Sequence, residues 1–142
     1  MEITRARKDD INGILTLQTQ IYRVDLLPDN AKIILSQLFD SNSCDVLVAK
    51  ENNQIIGSVF LFYLPIPAHG RPYAFLEGMV VDKNHREKGI GSALTKKAID
   101  LARQKNCYKV IFTSALNRQD IHKFYEKLGF AKWGYEFRMD LQ

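Results

Sequence analysis

The sequence predicts an α/β (α+β) fold in which a mixed sheet carries helices on both faces, and three observations predict it. Six stretches have strand character, and four others repeat apolar residues every three or four positions. The second half runs strand, strand, helix, strand, helix, strand, an order that forces crossovers over the faces of a sheet.

Each element has its own signal. Glu2 to Arg7 alternates as a first strand, and Lys8-Asp9-Asp10 offers carboxylates to a helix start, after which Ile11, Ile14, Leu15, Ile21 and Tyr22 keep helical spacing. Pro28 precedes a second helix over Asn30 to Phe39, with Ile34, Leu35 and Leu38 on one face. Cys44 to Lys50 and Ile55 to Leu64 read as a hairpin around Glu51-Asn52-Asn53-Gln54, and Gly57 marks a bulge within it. Leu64 to Pro72 holds three prolines and Gly70 and reads as a loop that interrupts the ladder. Tyr73 to Asp82 is the next strand. A helix reaching about Lys105 follows, with Ile90, Leu94, Ala98 and Leu101 facing inward. Tyr108 to Thr113 is β, Gln119 to Leu128 is a helix with the stripe Ile121, Phe124, Tyr125 and Leu128, and Trp133 to Leu141 is the last strand.

Length and composition set the bounds. A chain of 142 residues, 46% hydrophobic and 25% charged, fits one soluble globular domain over residues 1–142. Its start lacks the apolar run of a signal peptide, and no apolar segment approaches the roughly 20 residues that cross a bilayer, so a cytoplasmic location and no membrane partner are expected. Cys44 and Cys107 read as small buried strand residues, and His69, His85 and His122 lack metal-ligand spacing, so no metal is expected. The net charge of +4 is spread along the chain rather than gathered into a stripe, which argues against nucleic acid.

The chemistry concentrates at Arg86-Glu87-Lys88-Gly89-Ile90-Gly91, where the strand ending in Met79-Val80-Val81 gives way to a helix. A helix start leaves backbone N–H groups without intrahelical partners and adds the positive end of the helix dipole. Glycines at 89 and 91 let an anion approach those groups, and Arg86 and Lys88 add charge, so the junction suits a pyrophosphate. The Walker pattern fails because Ser92-Ala93-Leu94 supplies no lysine, and the dinucleotide fingerprint fails because position 94 is Leu.

Val81 to Leu94 resembles the acetyl-CoA-binding motif of the GCN5-related N-acetyltransferases (GNAT family), and Arg118 to Phe130 resembles that family's closing helix. Lys83, Glu87 and Ile121 depart from the usual residues, and Asn117 stands one position further from Tyr125 than the family's frequent Asn. The resemblance implies a mostly antiparallel sheet of six to seven strands, splayed at its centre. It also implies acetyl-CoA as co-substrate and a primary amine as acceptor.

Site roles come from the same likeness. Arg86, Glu87, Lys88, Gly89, Ile90, Gly91 and Ser92 hold the diphosphate, the backbone of Met79, Val80 and Val81 pairs with pantetheine, and Asn117 is a further cofactor residue. Tyr125 is the expected general acid for the departing thiolate, the alternative being packing within its own stripe. Glu77, placed by strand alternation on the face of Met79 and Val81, reads either as the general base or as a partner for a lysine across the sheet. His122 is a second base or a surface residue. A non-catalytic acyl-CoA-binding module is the rival reading, and a homodimer through the last strand is left open.

Overall fold

In the computed structural model, residues 1–21 and 24–142 are described, which leaves the expected helical position Tyr22 outside the described residues. They form two compact units, Met1–Ile111 and Phe112–Gln142. The first unit is a sheet of five strands in sequential order: β1 (Glu2–Arg5), β2 (Cys44–Glu51), β3 (Gln54–Ile66), β4 (Arg71–Val81) and β5 (Val110–Ile111). The first four pair antiparallel, and β5 joins β4 parallel.

Two helices cover one face. α1 (Ile11–Gln18) and α2 (Ala31–Phe39) set Ile11, Ile14 and Leu35 against Cys44, Val46 and Val48 of β2. The helical spacing in the sequence is realised in α1, where Ile11, Ile14 and Leu17 are buried, whereas in α2 only Leu35 is. α3 (Ile90–Gln104) lies on the opposite face and buries Ile90, Leu94, Thr95, Ala98, Leu101 and Ala102. Its close approach needs a glycine. A Cβ on Gly57 would stand 3.0 Å from both Ile90 Cγ2 and Leu94 Cδ1.

The β2–β3 hairpin turns on Asn52 and Asn53, both with positive φ (50° and 63°), as a two-residue turn with right-handed strand twist requires. The expected bulge falls beside Gly57: the register passes from Ala49↔Gly57 to Lys50↔Ile55, leaving Ile56 as the extra residue. The proline-rich stretch does not break the ladder as expected. Pro65 pairs opposite Pro72, and only Pro67 to Gly70 loops out. Proline is tolerated at a pair that needs no N–H for the ladder, and the Pro72 carbonyl turns outward to accept from the Tyr108 N–H at 3.1 Å.

Two strands differ from expectation. The strand predicted over Tyr108 to Thr113 is reduced to Val110–Ile111, and the ring of Phe112 packs instead on Tyr125 and Phe130, at 4.0 and 5.1 Å, within the second unit. Trp133 to Leu141 is not a strand. Alternation supplies a face but not a partner, and this segment enters no ladder among the described residues, so Trp133, Tyr135, Phe137, Met139 and Leu141 stand exposed. The sheet therefore has five strands rather than six or seven. Cys107 is also not a strand residue; it sits half-buried in the turn after α3, while Cys44 lies buried in β2.

The second unit carries α4 (Gln119–Lys127), whose Ile121, Phe124 and Tyr125 are half-buried, as is Leu128 at its end. Among the described residues, no helix is long and apolar enough to cross a membrane, and no cluster of His, Cys, Asp and Glu is built to hold a metal ion.

Candidate active site

The end of β4 and the loop after it carry the candidate site residues of the first unit. Pairing with β5 stops at Phe75↔Ile111, so from Leu76 to Val81 that edge of β4 has left the β5 ladder. On its other edge the strand bulges. The register with β3 jumps from Ser58↔Val80 to Phe60↔Glu77, and Gly78 adopts φ 62° there. Glycine is required twice over, because a Cβ would also meet the Phe60 ring at 2.8 Å.

The bulge corrects the placement of Glu77. Ser58 and Phe60 share a face of β3, so their partners Val80 and Glu77 share it too, and the extra residue moves Glu77 off the face of Met79 and Val81. Glu77 is exposed, so its charge stays solvated, and its Oε1 accepts the Gly78 N–H at 3.0 Å. Among the described residues no lysine pairs with it across the sheet: Lys8, Lys50 and Lys132 are paired with Asp40, Asp10 and Glu126.

Beyond Val81 the chain makes a 3-10 turn over Lys83–His85, capped by Asp82, whose carboxylate accepts the Asn84 N–H at 3.2 Å. The Asp82 carboxylate also accepts from Gln20 Nε2 at 2.9 Å and lies 2.6 Å from His85 Nδ1. These bonds, that from Gln20 foremost, hold Asp82 below the usual carboxylate range. Gln20 Oε1 accepts the Lys83 N–H at 2.9 Å, so both ends of one side-chain amide grip the turn. Arg86 Nε donates to the Val81 carbonyl at 3.1 Å.

Glu87 (φ 63°) and Gly89 (φ 79°) then turn the backbone left-handed, and Gly89 is the N-cap of α3. No atom lies within 4 Å of a Cβ built on Gly89, so the space above this turn is open. Ile90, Gly91 and Ser92 are the first three residues of α3, whose N–H groups have no carbonyl one turn back. The side chain of Ile90 is buried against Gly57, so its contribution to an anion site is its backbone alone. Arg86, Glu87 and Lys88 are exposed around the opening.

The second unit contains the other expected residues. Tyr125 packs among Phe112, Phe124 and Phe130 with ring centroids 4.0 to 5.8 Å away, and burial pushes its phenol above the ordinary tyrosine range. The phenol therefore keeps its proton at neutral pH. His122 Nε2 sits 2.9 Å from the Ala115 carbonyl, and since a carbonyl only accepts, this nitrogen carries the proton. Asn117 is exposed in the turn before α4.

Gln20 and His85 are site-shaping residues that sequence reasoning missed. Gln20 acts across 62 positions of sequence, and no local pattern announces it. Asp82 carried a signal, a cap residue directly before a short turn.

A model of the acetyltransferase (GNAT) family matches residues 11–130. The chain belongs to the GNAT family. Relatives include the glucosamine 6-phosphate N-acetyltransferase of Trypanosoma brucei brucei, 36% identical over 68% of this GNAT chain, and the N-acetyltransferase 8 of Rattus norvegicus, 33% identical over 80% of it. The chain spans 64% and 50% of the lengths of these two relatives. Among solved structures, an acetyltransferase of Trypanosoma brucei superposes with a TM-score of 0.83 at 28% identity, covering 99% of this chain and 99% of that one. The GNAT fold is thereby established, and the five-stranded sheet is its form here.

Proposed function

We propose that residues 1–142 act as one cytoplasmic N-acetyltransferase domain that moves acetyl from acetyl-CoA to a primary amine by direct attack in a ternary complex. The observation that carries this reading is the open, left-handed turn at Glu87 to Gly89 leading into the unpaired N–H groups of α3. The family match, which extends over residues of both units, supports treating them as one working domain.

The backbone of Gly89, Ile90, Gly91 and Ser92 would bind the CoA diphosphate, with Arg86 and Lys88 adding charge. The β4 edge from Met79 to Val81, free of β5, suits main-chain pairing with pantetheine, where an N–H stabilises the developing oxyanion. The amine nitrogen forms a bond to the thioester carbon and the carbon–sulfur bond breaks. Before attack the acceptor ammonium gives up its proton to water or to Glu77; after it, the thiolate takes the Tyr125 proton, and the surplus proton on the acylated nitrogen returns through water to the phenolate. No metal enters these steps.

Titration calorimetry with CoA tests the reading, using wild type and Gly89→Val. Wild type should bind, and the folded variant should not, because the branched side chain covers the backbone donors. Equal binding by both would remove the loop assignment. Binding of CoA with no thiol release on an amine panel would instead assign the chain to non-catalytic acyl-CoA binding.

A further inference from the structure

The turn that precedes the phosphate loop is braced from a distant part of the chain. Gln20 lies just past the end of α1, and its side chain is consumed at both ends: Nε2 donates to Asp82 Oδ1 at 2.9 Å and Oε1 accepts the Lys83 N–H at 2.9 Å. Asp82 spends its other oxygen on the Asn84 N–H and on His85, whose Nε2 lies 3.6 Å from Glu51 Oε2 at the start of the β2–β3 turn. The Asp82 backbone N–H is fixed to the Ile56 carbonyl at 2.9 Å and its carbonyl accepts the His85 N–H at 2.8 Å. The Asp82 and His85 side chains are only 14% and 20% exposed.

Such a set of bonds holds more than a short turn needs. A 3-10 turn of three residues is closed by its own cap, yet here an amide from beyond α1 and a carboxylate from the hairpin are added. Glu87, two residues beyond the turn, is a non-glycine residue in the left-handed region, a conformation that persists only where its surroundings impose it. Fixing Lys83–His85 fixes the entry to that left-handed segment, and α3, seated on Gly57, fixes its exit.

We infer that Gln20, acting through Asp82 and His85, is a positioning residue for diphosphate binding: it sets the conformation of Arg86 to Gly89 and touches neither the acetyl group nor the amine. This inference rests on the acetyl-CoA reading above. It assigns to the end of α1 a role in cofactor affinity.

The test compares acetyl-CoA with S-acetylpantetheine, which carries the same thioester and lacks the diphosphate. Gln20→Met keeps the length of the side chain and removes both bonds; Gln20→Glu keeps the acceptor for Lys83 N–H but sets a carboxylate against Asp82. Both should raise the KM and Kd for acetyl-CoA about three- to thirtyfold, the range for losing one or two polar bonds, with kcat at saturation unchanged. The kcat/KM for S-acetylpantetheine should stay within about twofold. Asp82→Asn should raise the same Kd, and the double variant with Gln20→Met should cost less than the sum of the two, since they share the Nε2–Oδ1 bond.

A folded Gln20→Met protein with wild-type Kd for acetyl-CoA overturns the inference. So does an equal loss with S-acetylpantetheine, which would mean general damage to the fold. Wild type that fails to bind CoA would overturn the acetyltransferase reading itself, a distinguishable result that removes both.

Discussion

Gly78 faces the ring of Phe60 so closely that any Cβ at this position would lie 2.8 Å from Phe60 Cδ2. The contact holds the β4 bulge in register with β3, and through it the orientation of Glu77 and of the strand end that leads to the loop.

Gly78→Ala should destabilise the protein by at least about 1–2 kcal/mol from the positive φ alone, with a further cost for displacing the ring. Thermal unfolding reads this as a fall of about 3–5 °C for each kcal/mol. Adding Phe60→Leu should recover the steric part and leave the backbone part; full recovery would show that the φ of 62° carries no strain.

Glu87→Gly should tighten acetyl-CoA binding. The substitution removes a carboxylate from beside the proposed anion site, a gain of about 0.2–1 kcal/mol for an exposed charge that shrinks as salt rises. Stability should change little, because relief of the left-handed strain is offset by the greater freedom of glycine in the unfolded chain. Calorimetry at low and high salt checks it, and weaker binding would count against an anion at this turn.

Tyr125→Phe should lower turnover at saturating acetyl-CoA by about a hundred- to ten-thousandfold while leaving cofactor affinity unchanged. Burial holds the phenol pKa above its ordinary value, so loss of activity from its ionisation should begin at a higher pH than an ordinary tyrosine would set. Wild-type turnover in this variant, with chemistry shown to limit the rate, would leave Tyr125 as a packing residue of its aromatic cluster.

Glu77→Gln should reduce turnover most near neutral pH and least near pH 9, because an alkyl ammonium of pKa about 10 depends most on a base where free amine is scarce. Its exposure keeps it open to water, as a relay requires. A loss of equal proportion at every pH would assign Glu77 to supporting the bulge through the Gly78 N–H.

The legible parts of this chain were those whose signal is local. The apolar repeat of Ile90, Leu94, Ala98 and Leu101 located α3, and the glycines at its start located the loop. Strand alternation, by contrast, misplaced Glu77, because an inserted residue at Gly78 reverses the face of everything beyond it and shows only in the pairing with β3. Pro65 and Pro72 read as breakers in the sequence, since their tolerated setting depends on which way each backbone group points in the ladder. Gln20 was invisible for a related reason: a single glutamine has no periodicity, and its partners lie far off in sequence.

Asp82 should titrate below an ordinary carboxylate, and Gln20→Met should move it back up. A carboxyl with a folded pKa depressed below its unfolded value of 3.8 contributes stability that is present above that value and lost as pH falls through the depressed one. The brace should therefore survive moderate acid in wild type and begin to fail at higher pH in the variant. An NMR titration of the Asp82 carboxyl, followed beside the acid-unfolding midpoint, checks both; an unmoved Asp82 titration in Gln20→Met would show that the amide bond does not set it.

The exposed row from Trp133 to Leu141 has an optical consequence. The chain contains a single tryptophan, and Trp133 is 96% exposed, so its intrinsic tryptophan fluorescence belongs wholly to this segment. Emission at the long-wavelength end of the tryptophan range corresponds to the row standing in water, and a blue shift signals that some surface has come to cover it. One spectrum, recorded across a dilution series and again with CoA, thus watches this segment without a label.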